Sequence, residues 1–215
     1  MIKLEHVVLA SPEQMRFIIE GMRNPMNSWK KTDSGNGCDS GLCSAPCAFS
    51  PQWCGNTPRY VLGENDRSLM QRLSKAGTDH RKFMRMLPVY VRITAPLYWW
   101  KEFDTYKVGT VANICSTMHK IQAKEFILED FSCEHLNRIG TSSLLDIIDI
   151  LNLDRKLYLN GGDYKGEHYA PKDKQVWWQM IQLLPSSYNQ IRNVMMNYEI
   201  LANIYKSHKN HKLDE

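Results

Sequence analysis

Four cysteines lie close together in the first third of the chain, and thiolates are the ligands that zinc prefers in structural sites. They follow the spacing C-x4-C-x3-C-x6-C at Cys38, Cys43, Cys47 and Cys54. Four such ligands can hold a tetrahedral zinc ion. The spacing lacks the close CxxC pairs of typical zinc knuckles. A loop with free, reduced thiols is therefore the favoured interpretation, and a zinc site is the less favoured one.

A run of aromatic residues, Tyr98-Trp99-Trp100, offers a second kind of chemistry. The face of an aromatic ring in an apolar wall can stack on a planar ligand such as a flavin or a nucleobase. Aromatic runs on helices are more often part of the core. Tyr98 and Trp99 are therefore possible ring-stacking residues, with core packing as the favoured alternative.

Two further candidates involve histidine. Cys115 and His119 would lie one turn apart on a helix and could form a nucleophile pair. Chance proximity is the favoured explanation in a chain with six Cys and seven His. His80 precedes the most strand-like segment, where a histidine is usually a satisfied polar neighbour. The common phosphate-loop, dinucleotide, zinc-protease and hydrolase motifs are absent.

The pattern of apolar residues, prolines and caps predicts the strands and helices that position these residues. Residues 89–94 alternate and are β-branched, which predicts a strand, and Pro96 then favours a helix over 97–106. A short helix from Thr78 carries His80. The other expectations are a strand over 2–10, helices over 12–23, 67–75, 142–157 and 172–184, and a last helix over 187–209.

The length and composition of the chain indicate how many domains these elements form and what kind of ligand they suit. A chain of 215 residues with 43% hydrophobic content predicts a single domain, 1–215, with a Cys-rich loop insertion at about 33–57. The net charge of +4 suits a small anionic ligand and does not indicate nucleic-acid binding. No signal peptide or membrane span is recognisable, so a soluble intracellular protein is expected. The last helix has no terminator, which suggests truncation.

The order of several motifs resembles that of the flavin-dependent thymidylate synthases. His80 is followed by the strand 89–94, by Ala95-Pro96-Leu97-Tyr98, and by Thr105-Tyr106-Lys107-x-x-Thr110-x-Ala112-Asn113-x-Cys115-x-Thr117-Met118. The family signature there is R-H-R-x-x-S-x-N-E-x-S-x-R-Y. Near the C-terminus, Leu184-Pro185, Asn197, Leu201 and His208 resemble a second family pattern, in which an Arg stands at the last position. The resemblance covers about residues 77–118 and 184–212.

The resemblance implies an α+β fold with a mixed sheet and long C-terminal helices, in a homotetramer with sites between subunits. It implies methylation of dUMP with FAD, with NADPH and a folate as co-substrates, in the cytoplasm of a bacterium or of a phage-infected cell. No catalytic residue is identified. The cofactor and nucleotide residues carried over are His80, Lys107, Thr110, Cys115, Asn197 and His208.

The departures from the family pattern remove positive charge. Thr105, Tyr106 and Lys107 replace its Arg-His-Arg, and Thr117 replaces a further Arg. Each lost charge-assisted bond to phosphate is worth about 1.5–3 kcal/mol. Lys101, Arg92 or Arg85 would have to replace them from a new direction. The alternative is a non-catalytic protein on the same fold that sequesters or senses a nucleotide.

Overall fold

The computed structural model describes residues 2–38 and 58–210, which form helices, strands and short 3-10 turns. The strands, in chain order, are β1 (Lys3–Leu9), β2 (Gly35–Cys38), β3 (Pro58–Val61), β4 (Pro88–Pro96), β5 (Val111–Ile114), β6 (Gly162–Tyr164), β7 (Glu167–Tyr169) and β8 (Asn189–Asn197). The helices are α1 (Pro12–Arg23), α2 (Glu64–Lys75), α3 (Lys82–Met86), α4 (Leu97–Phe103), α5 (Arg138–Asn160), α6 (Lys174–Leu183) and α7 (Tyr198–His208). None of these helices is both long and apolar enough to cross a membrane.

The central element is a four-stranded sheet in the order β1-β4-β8-β5. Its three strand pairings are all antiparallel, so the prediction of a mixed sheet is wrong for the described strands. Two further two-stranded sheets, β2-β3 and β6-β7, lie outside it. The strand predicted over 89–94 is confirmed as β4, and the helix that follows Pro96 ends at Phe103, earlier than predicted.

The largest correction concerns the last predicted helix, 187–209. Its first half is strand β8, paired with β4 over nine residues, and helix begins only at Tyr198. Asn197 caps that helix, accepting hydrogen bonds from the amides of Glu199 and Ile200. The helical spacing of Ile191, Val194 and Met195 competed with an alternation of buried and exposed residues, and pairing with β4 decided the outcome.

Two other helices begin at residues different from those predicted. Helix α5 begins at Arg138, before the start predicted at residue 142, because the Asn137 side chain accepts a hydrogen bond from the Gly140 amide. Residues 78–80 form a turn instead of a helix, and α3 starts at Lys82. Helix α5 extends past its predicted end at residue 157 to Asn160, and Gly161 follows at φ 69°.

One face of the sheet forms the main core. The inward side chains of β4 and β8 pack against α4 and α7, and Trp100 is almost fully buried there at 1% exposure. A second cluster joins α5 and α6, and a third joins α1, α2 and α3. The buried members of the main cluster are Val89, Val91, Ile93, Ala95, Trp100, Phe103, Val194, Met196 and Ile200.

A buried ion pair holds the N-terminal third together. Arg23, at the end of α1, donates from Nε to Asp66 Oδ1 over 2.6 Å, and neither side chain is more than 4% exposed. Asp66 also accepts hydrogen bonds from the hydroxyls of Thr32 and Ser34. Burial alone would raise the pKa of Asp66, but the bonds from Ser34, Thr32 and Arg23 outweigh it and lower that pKa.

Helix α2 begins at Glu64, before the start predicted at residue 67. Its first turn is capped by Asp33, which accepts hydrogen bonds from the amides of Asn65 and Asp66. A Cβ at Gly63 would lie 2.2 Å from Asp33 Cγ, so only glycine allows this approach. No local pattern predicts this cap, because Asp33 lies 32 residues before Asn65 in the chain.

Most of the Cys-rich insertion predicted at about 33–57 lies outside the described residues, including Cys43, Cys47 and Cys54. The backbone of Cys38 ends β2, which pairs with β3 across the two ends of this segment. The zinc hypothesis therefore stays a prediction.

Replacing Asp66 with Asn should lower the free energy of unfolding by about 3–5 kcal/mol, because it leaves the Arg23 guanidinium buried without its carboxylate. Urea denaturation measures this, with Asp149→Asn on the exposed side of α5 as a control expected to change little. The lowered pKa gives a pH dependence: the Asp66 contribution is present above about pH 4 and is lost as pH falls through the folded-state pKa. Equal stability of the two variants would contradict a structural role for the pair.

Candidate functional site

The open face of the sheet, opposite the main core, carries a row of polar side chains. Glu5, Arg92, Asn193 and Asn113 are successive cross-strand neighbours on β1, β4, β8 and β5. Residues paired across antiparallel strands share a face, so the four side chains lie in one line. Arg92 donates from Nε to Asn193 Oδ1 over 3.1 Å, which links the middle of this polar row.

A second row of side chains runs beside the first and is apolar. It consists of Val8, Tyr90, Met195 and Val111, again paired strand by strand. Val8, Tyr90 and Val111 are each about half exposed, at 56%, 47% and 59%. The open face therefore presents an apolar row of side chains beside a polar row that can form hydrogen bonds.

The parts of the two rows on β4, β8 and β5 line a concavity of about 400 Å³, to which His6 of β1 also contributes. This volume lies within the usual range of small-molecule sites, about 300–1,000 Å³. We call it the sheet groove. Its members are His6, Tyr90, Val91, Arg92, Val111, Asn113, Asn193, Val194 and Met195.

His6 reaches the sheet groove through a β-bulge. The register of β1 against β4 shifts between Glu5 and Val8, and His6 has a φ of 50°. That left-handed conformation is uncommon for residues other than glycine, although histidine adopts it more often than most. Bulges of this kind redirect a side chain and are frequent near functional sites.

On the opposite face of β8, a buried polar network surrounds Arg192. Its Nη1 donates to Asp104 Oδ1 over 2.7 Å, and its Nε donates to Gln190 Oε1 over 2.8 Å. The guanidinium carbon also lies 4.1 Å from the centre of the Trp100 ring, a cation–π distance. Arg192 is only 8% exposed, whereas Asp104 is 46% exposed.

Gln190 connects this network to the segment that follows β5. Its Nε2 donates to the Cys115 carbonyl over 3.3 Å and to Thr117 Oγ1 over 3.4 Å. The Trp100 indole donates to the Gln190 carbonyl over 3.1 Å. The buried polar network therefore positions β5, which supplies Asn113 and Val111 to the sheet groove.

Several residues carried over from the family resemblance gather along α7. The hydroxyl of Tyr106 is 2.7 Å from His208 Nε2, and Gly109 packs against Asn197 and Ile200. Thr110 follows, with a buried hydroxyl that has no hydrogen-bond partner within the described residues. Lys107 is exposed on the same loop.

The remaining predicted residues lie elsewhere. His80 is exposed in the turn before α3, while its neighbour Arg81 donates to Glu199 Oε1 over 2.8 Å at the start of α7. Cys115 is exposed at the far end of β5. The nucleophile pair of Cys115 with His119 depended on helical spacing, and no helix forms there.

The aromatic run belongs mainly to the core. Trp100 is buried, and Trp99 stacks on Phe103 with ring centres 5.1 Å apart and planes at 20°. Tyr98 is half-buried, and its amide donates to the Ser186 carbonyl. The Trp99 face nearer Phe103 is therefore not available to a ligand.

Sequence reasoning missed His6, Asn193 and Arg192. Asn193 and Arg192 fell inside the predicted C-terminal helix, at positions outside its apolar face. The alternation of residues 190–196 between buried and exposed positions was the available signal, since it has the period of a strand. Nothing local predicted the bulge at His6. Arg92 had been considered only as one possible replacement for the lost arginines.

Comparison with solved structures places this architecture among known folds. Thymidylate synthase X (ThyX) from Helicobacter pylori, solved with FAD and dUMP, aligns over 99% of this chain and 86% of its own length, with a TM-score of 0.58 at 12% identity. A second structure of that enzyme, also with FAD and dUMP, gives a TM-score of 0.57 at 12% identity, over 98% and 85% of the two chains. The UMP/dUMP methylase PolB from Streptomyces cacaoi, bound with 5-Br dUMP, gives 0.51 at 10% identity, over 95% and 75%.

These similarities show a ThyX-like fold. No protein family profile matches the chain, and neither does any curated protein sequence. The solved structures thus support the similarity of fold that the motifs suggested. Their low sequence identity to this chain does not show that it shares their activity.

Replacing Gln190 with Leu should destabilise the protein by about 1–3 kcal/mol, because the Arg192 Nε loses its acceptor and remains buried. The segment from Cys115 to Thr117 should also exchange its amide hydrogens faster. Urea denaturation and hydrogen exchange measure the two effects. Gln71→Leu, at an exposed position of α2, is the matched control. Unchanged exchange at Cys115 would argue against the connecting role of Gln190.

Proposed function

We propose that this protein binds a nucleoside monophosphate in the sheet groove. The observation that carries the proposal is the polar row, in which the cationic Arg92 lies in line with the amides of Asn193 and Asn113. The neighbouring apolar row completes a surface that suits a charged group, a hydrogen-bonding ring edge and a flat ring face.

Arg92 is suited to the phosphate. Its bond to Asn193 uses Nε and fixes the guanidinium, while within the described residues its two Nη groups have no protein acceptor. Arginine binds phosphate oxygens through paired N–H groups, and such charge-assisted bonds are stronger than neutral ones. Arg192, the buried cation on the other face of β8, is already paired with Asp104.

The two asparagines are suited to a nucleobase. Each amide offers both a donor and an acceptor, as a pyrimidine edge with carbonyl and N–H groups requires. Tyr90, Met195 and Val111 would cover a ring face by aromatic and thioether contact. Their partial exposure in the described structure leaves that area open to a ligand.

Two of the structurally similar proteins support this choice of ligand. The Helicobacter pylori enzyme was solved with dUMP, and the Streptomyces cacaoi methylase with 5-Br dUMP. The fold they share with this chain therefore accommodates uracil nucleotides in other proteins.

The donor set of the sheet groove fits one phosphate better than the pyrophosphate of FAD. Arg92 is its single arginine, and Lys107 is exposed on the loop beside α7. Positions Thr105 and Thr117, where the resembling family has arginines, are uncharged. The residues present thus favour the nucleotide over the flavin.

Binding is expected to be measurable by calorimetry with dUMP and UMP and as a rise in melting temperature, because a ligand that binds only the folded state stabilises it. Arg92→Gln should weaken binding by about 10- to 100-fold, the loss of about 1.5–3 kcal/mol. Arg72→Gln on the exposed surface of α2 should leave affinity unchanged. Equal affinity in both variants, or no binding of any nucleotide, would exclude the sheet groove as the site.

A second candidate function is catalytic: methylation of dUMP with FAD, NADPH and methylenetetrahydrofolate. It is favoured by the alignment of almost the whole chain with an enzyme solved with FAD and dUMP. A homotetramer with sites between subunits would accompany that activity. Additional arginines from a neighbouring subunit could then complete a flavin site.

The absorbance spectrum separates the two functions. Because, among the described residues, Arg92 is the single arginine of the sheet groove and no lysine lines it, purified protein is expected to lack the flavin bands. It should take up no added FAD on gel filtration while still binding dUMP. A yellow protein that releases FAD on denaturation would establish the catalytic candidate instead. Arg92→Gln, treated in the same way, shows whether any FAD uptake depends on the sheet groove.

A further inference from the structure

We propose that His6 is a second phosphate-binding cation of the sheet groove, so that nucleotide binding strengthens as this histidine gains a proton. This inference rests on the proposed function and adds to it a residue and a regulation. Among the residues that line the sheet groove, His6 is placed there by the β-bulge of β1.

The first support is the conformation of β1. The chain adopts φ 50° at His6, within the bulge between Glu5 and Val8. A left-handed conformation is unfavourable for a residue other than glycine, because its Cβ approaches the following carbonyl oxygen. A strand that only completed the sheet would not need it. The bulge brings the imidazole to the wall of the sheet groove that Arg92 also forms.

The second support is the pairing pattern around the two cations. Glu5 is the cross-strand neighbour of Arg92, and His6 follows Glu5 directly. His6 is exposed, and no hydrogen bond to its ring is present within the described residues. Its nitrogen atoms are therefore open to a ligand at the β1 end of the polar row.

The charged groups near His6 determine whether ligand binding favours its protonated or its neutral form. On its own strand are Lys3 and Glu5, which form an ion pair over 3.0 Å, and on β4 are Arg92 and the titratable Tyr90. The hydrogen bond from Lys3 is the main cause of the lowered pKa of Glu5, with smaller contributions from His6 and Arg92. The polar side chains that β8 and β5 contribute to the sheet groove, Asn193 and Asn113, are neutral.

Glu5 is thus already partnered by Lys3. A bound phosphate dianion within reach of the imidazole attracts a proton to it. Binding therefore takes up a proton on His6, and by linkage the affinity rises as pH falls through the range in which histidine titrates.

The test is calorimetry with dUMP from about pH 8.5 to about pH 6, across the usual pKa of histidine. The comparison uses wild type and His6→Asn, since asparagine tolerates a left-handed conformation and cannot gain the charge. The ratio of their affinities cancels the titration of the phosphate itself. We expect wild type to match the variant at the alkaline end and to bind about three- to tenfold more tightly at the acid end.

A second variant keeps the test informative if asparagine disturbs the bulge. His6→Lys carries a charge across the whole range, and Lys165 and Lys172 show that lysine occupies positive φ elsewhere in this chain. At every pH in this range it should bind dUMP about three- to tenfold more tightly than His6→Asn does at the same pH. The exposed His135→Asn is the control, expected to follow wild type at every pH.

Deoxyuridine, which has no phosphate, identifies the part of the ligand that His6 contacts. Its affinity should not differ between wild type and His6→Asn at any pH. A dUMP affinity ratio near one throughout would overturn the role of His6 while leaving nucleotide binding in place. A ratio that is large but independent of pH would overturn it too. Absence of dUMP binding to wild type would instead refute the proposed function.

Discussion

The position of β8 between β4 and β5 is the constraint on which the rest of the structure depends. Nine residues of this strand pair in register with β4, and four of them also pair with β5. Because successive side chains of a strand point to opposite faces, one segment serves both surfaces of the sheet. Gln190 and Arg192 enter the buried polar network, while Asn193 and Met195 enter the sheet groove. A slip of one residue would exchange the two sets.

The two surfaces are also coupled in their energetics. A buried guanidinium is tolerated only where acceptors surround it, and Arg192 has Asp104, Gln190 and the Trp100 ring. The same Gln190 holds the end of β5 through Cys115 and Thr117. The groove edge formed by β5, only four residues long, thus depends on polar contacts made on the far side of the sheet.

Much of the fold could be predicted from sequence where local signals and burial agree. The Ser11 cap and amphipathic face of α1, the β-branched alternation of β4 and the breaks around α6 are all of this kind. Prediction failed where tertiary contacts decided the outcome. Strand β8 has enough helical spacing to mislead, and its pairing partner lies about a hundred residues away. The cap of α2 comes from Asp33, a residue that no local rule connects to it.

For the candidate site, the motif resemblance covers β4 and β5 but did not single out the residues that line the sheet groove. It located the loop and strand from Thr105 to Thr117, of which Asn113 is in the polar row. Residues such as Asn197 and His208 have structural contacts along α7 that a motif cannot distinguish from ligand contacts. The sheet groove combines β1, β4, β5 and β8, so its composition became visible only once strand order and register were known.

The buried carboxylate of Asp66 has a consequence for how this protein can vary in evolution. Together with Asp33 it holds Thr32, Ser34 and the start of α2, and the pairing of β2 with β3 joins Cys38 to Pro58. Both ends of the cysteine-rich segment are therefore anchored to the α1–α2 region, apart from the four-stranded sheet. The length of the segment between these anchors can therefore differ without moving β1, β4, β8 and β5, the strands that form the groove.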